Sequence, residues 1–143
     1  MKNILLPVDG SECALRAVSL AIAKITHYRT PENTAIHLVN VQVPFSQDVS
    51  RFVNQTQIDD FHRSESEAAL KDARALLDAS GLRYSVHARV GAVAEEIVQL
   101  AEEQGCDQIV MGTHGRGALG DLLMGSITLK VLHLAKIPIL LVK

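Results

Sequence analysis

Five apolar runs rich in Val, Ile or Leu punctuate the chain, at residues 3–8, 35–43, 83–90, 108–111 and 138–142. Each is four to nine residues long, the length of a buried strand rather than of a helix. Between them the apolar positions change period. Ala14, Val18, Ala21, Ile22 and Ile25 fall on one helical face, as do Ala69, Ala73, Leu76 and Leu77, then Val93, Ile97, Leu100 and Ala101, and last Leu123, Ile127, Val131 and Leu134. Parallel neighbours in a sheet need crossovers, and right-handed crossovers set helices against its faces. The alternation therefore predicts an α/β fold: a doubly wound, five-stranded parallel sheet with helices on both faces, Rossmann-like, in one domain spanning residues 1–143.

The runs at 3–8 and 108–111 are nearly all apolar, as strands covered on both faces should be, which makes them central. The run at 83–90 alternates Tyr84, Val86, Ala88 and Val90 with Ser85, His87 and Arg89, the pattern of a strand nearer an edge. Residues 44–57 are polar with little periodicity and are expected to form a mobile connection or lid. Glu65, Glu67, Lys71 and Arg74 are expected on a solvated helix face.

Composition narrows the function. With 48% hydrophobic but only 3% aromatic residues and no Trp, the core must be aliphatic. A net charge of −2 offers no basic field for a nucleic-acid backbone. The first apolar run is too short for a signal peptide or a membrane span, and Cys13 and Cys106 give no disulfide framework, so a cytoplasmic protein without a membrane partner is expected. No two of the six His stand at close metal-ligand spacing, so no intrinsic metal site is expected. Cys13 falls near a helix start, where a thiolate is favoured, but a small side chain packed on the sheet is the simpler reading.

The chemistry concentrates after the fourth run, where residues 112–125 hold five glycines in fourteen residues. A glycine loop leaving a central strand lies at the carboxyl edge of the sheet, where such folds bind ligands, and its main-chain amides can approach a phosphate unobstructed. Ser126 and Thr128 follow near a helix start, where amides and hydroxyls can add donors. No Gly-Lys pair exists for a P-loop. Gly115, Gly117 and Gly120 spell a dinucleotide fingerprint, but no Asp or Glu follows Asp121 to hold a ribose.

The spacing Gly112, Gly115, Gly125, Ser126 resembles that of ATP-binding members of the universal stress protein family. So do the opening Ile4-Leu5-Leu6-Pro7-Val8-Asp9-Gly10-Ser11 and the closing Ile137-Pro138-Ile139-Leu140-Leu141-Val142. The resemblance implies a homodimeric stress-response protein whose cofactor is ATP, with any Mg2+ arriving on the nucleotide. It implies a ribose contact at Asp9 beside Pro7 and Val8, adenine at the backbone of Val41, and phosphates at Gly112, Gly115, Gly125, Ser126 and Thr128 with Met111 and Ile127 as neighbours. Asn40 departs from the His common at its position. Arg116 either leans on a phosphate or is an ordinary loop Arg, and His114 reads as a loop polar group. Asp9 has an alternative as the cap of its turn. The strand at 138–142, with Pro138 first, is expected at a sheet edge, where the resemblance implies dimer pairing and a covered monomer edge is the alternative. No catalytic constellation stands out. The rivals to a regulatory ATP-binding module are a slow ATPase or nucleotidyl-transfer enzyme and a nucleotide-free dimerisation module.

Overall fold

The computed structural model describes residues 2–28, 31–115 and 124–143. Five parallel strands, β1 (Asn3–Pro7), β2 (Ala35–Gln42), β3 (Tyr84–Val90), β4 (Gln108–Gly112) and β5 (Ile139–Val142), form one sheet in the order β3-β2-β1-β4-β5. The two nearly all-apolar runs take the centre, and the alternating third run takes an edge. All five anticipated strands form, within a residue at either end.

Side-chain alternation along β1 divides the core. Ile4 and Leu6 point to one face, where α1 (Glu12–Thr26) and α3 (Gln55–Ser80) bury Val18, Ala21, Ile25, Leu70, Ala73 and Leu77 against them. Leu5 points to the other, where α4 (Val93–Glu103) and α5 (Ser126–Leu134) bring Ile97, Leu100 and Val131. The winding reverses between β1 and β4, so the loops leaving these two strands part in opposite directions and leave a crevice.

The segment expected to be a connection or lid contains a short helix, α2 (Gln47–Ser50), and the start of α3. Asn54 and Gln57 close a reciprocal capping box at that start, and it fixes the helix about four turns before its clear apolar pattern begins. The buried stripe of α3 runs Ile58, His62, Ser66, Ala69, Ala73, Leu77. Two of its first three positions are polar, so hydropathy alone does not show it. Glu67, Lys71 and Arg74 do face solvent. No helix among the described residues is long and apolar enough to cross a membrane.

Cys106, buried just before β4, has its thiol pushed up to about 11 by burial and by the neighbouring Asp107. An unfolded chain ionises this thiol near its ordinary value and the folded chain does not. Stability contributed by Cys106 is therefore complete below pH 9 and is lost as pH rises towards 11. Denaturant titrations of the wild type between pH 8 and 10.5 are expected to show this decline, and Cys106→Val to flatten it; identical slopes would contradict the assignment.

Candidate functional site

A cavity of about 460 Å3 opens at the carboxyl edge of the sheet, on the α4 and α5 side of the reversal. That is within the range of roughly 300–1,000 Å3 usual for small-molecule sites. One wall comes from the end of β1, with Pro7, Val8 and Asp9, and the opposite wall from Met111, Gly112, Gly115, Gly125, Ser126, Ile127 and Thr128. Val41 joins them from β2. The structure thus gathers eleven of the twelve residues singled out by sequence; the twelfth, Arg116, lies outside the described residues, with Gly117, Gly120, Asp121 and Leu123. Six lining residues had not been singled out: Ala14, Val39, Val93, Ile97, His114 and Met124. The signal for Val39 was its place two residues before Val41, on the same face of the strand. Val93 and Ile97 read as ordinary core of α4.

The crevice exists because the β1–β2 ladder stops. Val8 N–H still donates to Val39 O at 2.8 Å, but Val8 O is taken by the side-chain amide of Asn40 at 2.9 Å. Gln42 Nε2 donates in turn to Asn40 Oδ1 at 2.9 Å. Asn40 is 2% exposed, so this bridge is part of the core. Peptide groups alternate sides along a strand, and Gln42 O accepts from Gly91 N–H on the β3 side. Those of Val41, like those of Val39, therefore face the side where β1 has ended.

Asp9 follows directly. Gly10 takes φ +83°, a left-handed conformation natural to glycine, and lies against Ala69 of α3. The turn brings Ser11 N–H to Asp9 Oδ1 at 3.0 Å, and Ser11 caps α1 by accepting from Ala14 N–H at 3.2 Å. Asp9 Oδ2 reaches across to the glycine loop, 2.6 Å from where a Cβ on Gly115 would stand. The turn-capping role and the cavity-wall role fall to different oxygens of one carboxylate.

The three motif glycines have separate reasons. A Cβ on Gly112 would come within 2.9 Å of the Cys13 carbonyl carbon and thiol, so this glycine admits α1 rather than a ligand. On Gly115 the conflict is with Asp9. On Gly125 a Cβ would meet Thr113 O at 3.5 Å, an ordinary contact, so the protein itself does not demand a glycine there.

Thr113 ties the loop's ends together. Its carbonyl accepts from Gly125 N–H at 2.7 Å and from Thr128 Oγ1 at 3.2 Å, and Thr128 Oγ1 also lies 3.2 Å from Gly112 O. Thr128 is 3% exposed, and its hydroxyl hydrogen is directed at these carbonyls. This corrects its reading as a side-chain donor to phosphate. Ser126, exposed at the rim, keeps a hydroxyl on the cavity side, and the amides of Ser126, Ile127 and Thr128 are the first that α5 itself leaves unpaired. The Lys130–Glu95 ion pair, at 2.5 Å, braces the first turns of α5 and α4.

Cys13 packs beneath, buried, its thiol 3.1 Å from Val142 O and 3.7 Å from Thr113 Oγ1. Burial pushes this thiol up, while the His114 amide and the hydroxyl and amide of Thr113 pull it down further, leaving it below its ordinary value.

The universal stress protein family model matches residues 1–143. The chain belongs to this family. Universal stress protein MJ0531 of Methanocaldococcus jannaschii is 34% identical over 148 residues, covering 99% of this chain and 82% of that protein. The solved structure of MJ0577 from the same organism superposes with a TM-score of 0.83 at 30% identity, over 99% of this chain and 95% of that one. A universal stress protein crystallised in complex with cAMP shares the fold, with a TM-score of 0.71 at 24% identity over 99% of this chain and 97% of that one.

Replacing Thr128 by Val keeps its shape but removes the donor that serves two loop carbonyls. We expect Thr128→Val to lower stability by about 1–3 kcal/mol in urea denaturation and Thr128→Ser to recover most of it. Equal stability of the Val variant and wild type would show that the tie carries no weight.

Proposed function

We propose that this universal stress protein binds an adenine nucleotide, with ATP its cofactor, and acts as a regulatory stress-response module rather than an efficient catalyst. One observation carries the reading. A cavity of about 460 Å3 runs between Asp9 and the amino end of α5, with main-chain amides and glycines where a phosphate chain would rest and apolar Val39, Val41, Val93 and Ile97 where a base would stack. That a relative of the same fold holds cAMP supports this ligand class.

In this reading Asp9 holds the ribose hydroxyls, the peptide of Val41 meets the adenine edge, and Gly115, Gly125, Ser126 and Ile127 embrace the phosphates. Among the described residues no cluster of three or more His, Cys, Asp or Glu could hold a metal. Any divalent ion would arrive on the nucleotide, held by the phosphates themselves, which suits Mg2+, an ion commonly bound through substrate phosphates. The same reading makes the protein a homodimer paired through β5, an outer strand of the sheet. Leu129 and Leu132 of α5 are exposed near that edge and supply apolar surface for a second copy. With both cysteines free, a reducing cytoplasmic setting fits.

Gly115→Val tests the site. Its side chain would push on Oδ2 of the Asp9 carboxylate, a displacement that spares the fold but fills the space between the two walls. Calorimetry is expected to show ATP binding to wild type and at least about a tenfold loss in the variant, with unchanged thermal unfolding of the ligand-free proteins. Mass spectrometry of protein purified without added nucleotide should release ATP, ADP or AMP. Absence of bound nucleotide together with no heat on adding any of the three would refute the proposal.

A further inference from the structure

The register of the β2–β3 edge brings together two imidazoles that lie fifty residues apart in sequence. His37 stands diagonal to His87, whose register partner is Val39, so both rings are on the α4 face of the sheet. His37 Nδ1 and His87 Nε2 are 3.1 Å apart, with ring centroids 5.3 Å apart and planes 39° from parallel. Sequence spacing registers only His neighbours along the chain, and so gives no sign of this pair.

We propose that His37 and His87 form a two-imidazole site for a divalent transition-metal ion, Cu2+, Ni2+ or Zn2+, on the α4 face of the β2–β3 edge. Metal–imidazole bonds of about 2.0–2.1 Å to two nitrogens 3.1 Å apart subtend about 98° at the ion. That is a normal angle for adjacent ligands on tetrahedral, square-planar or octahedral ions, so the strands need not move. The two rings have only to tilt their lone pairs from each other onto a common point.

The surroundings are of mixed charge. Arg89 of β3 and Glu96 and Glu103 of α4 face the pair, with Arg89 Nη1 3.4 Å from Glu96 Oε2 and Arg89 Nη2 paired to Glu103. One positive and two negative side chains leave a net charge of −1. The charge of Glu103 is felt at His87, and its carboxylate is held in place by Gln99 Nε2 at 2.8 Å. Burial lowers both imidazoles from their ordinary value, helped at His37 by the nearness of His87 and at His87 by the charge of Arg89. Among the described residues no third His, Cys, Asp or Glu completes a ligating cluster. The chelate is therefore bidentate, with water in the open positions, and selects imidazole-seeking ions over Mg2+ or Ca2+.

The test is calorimetric titration of the full chain with NiCl2 and ZnCl2 at pH 7.5 in a non-chelating buffer containing excess MgCl2. One ion per chain is expected, with affinity reduced at least about tenfold in His37→Gln and in His87→Gln, since even outer-shell changes cost that much. The exposed His27→Gln and His133→Gln should bind as wild type does. Wild-type melting temperature should rise with ZnCl2 and that of the two ligand variants should not. Unchanged affinity in His87→Gln, or displacement by Mg2+, would overturn the proposal. Should either variant fold poorly, imidazole 15N spectra of the wild type at one equivalent of Zn2+ decide. Shifts at His37 and His87 support the site, and shifts confined to other histidines overturn it.

Discussion

The carbonyl of Thr113 is the constraint on which the site depends. A loop that leaves β4 and returns as α5 must bring its two ends to one place, and closing such a loop costs entropy that grows slowly with its length. Gly125 N–H and Thr128 Oγ1 both meet Thr113 O, and Thr113 N–H donates to Val142 O at 2.9 Å. One residue therefore joins the loop's start, the loop's end and the last strand. The amino end of α5 is positioned by this junction, so the amides that the helix itself leaves without partners lie at the cavity wall by construction rather than by chance of loop conformation.

The opposite wall depends on a subtraction. Were β1 and β2 to continue pairing above Pro7, Val41 would be spent on the ladder and the crevice would close. Asn40 prevents this by capturing Val8 O with its side chain, a buried polar group engaged at both ends by Val8 and Gln42. The departure from the His common at this position thus has a structural role, and it lies on the α1 and α3 side of the sheet, away from the cavity lining. What the reversal of winding offers in outline, this amide makes specific at one residue.

The strands and their order of centrality were legible because burial on two faces demands continuous apolar runs and burial on one face permits alternation, a distinction visible in residues 3–8 against 83–90. The start of α3 was not, because His62 and Ser66 occupy its buried stripe and its capping box alone marks its beginning. The glycine spacing located the site but could not separate its three causes, since the atoms that crowd each glycine come from elsewhere in the chain: Cys13 at Gly112, Asp9 at Gly115, Thr113 at Gly125. The direction of the Thr128 hydroxyl was hidden for the same reason. His37 and His87 meet only through strand register, which hydropathy patterns do not encode.

Asp9 shows why a choice between a structural and a ligand-facing role can be a false one. Its Oδ1 is engaged by Ser11 N–H, which fixes the carboxylate's plane and the turn that starts α1. That engagement aims Oδ2 across the crevice at Gly115, so the turn sets the height at which an acidic oxygen meets the loop. A side chain on Gly115 would displace that oxygen, even before any phosphate is considered. This approach of a carboxylate to a bare Cα brings the two walls together. The cavity therefore lies between an acidic side chain on one wall and the amino end of α5 on the other, a polarity fixed by the turn and the loop junction together.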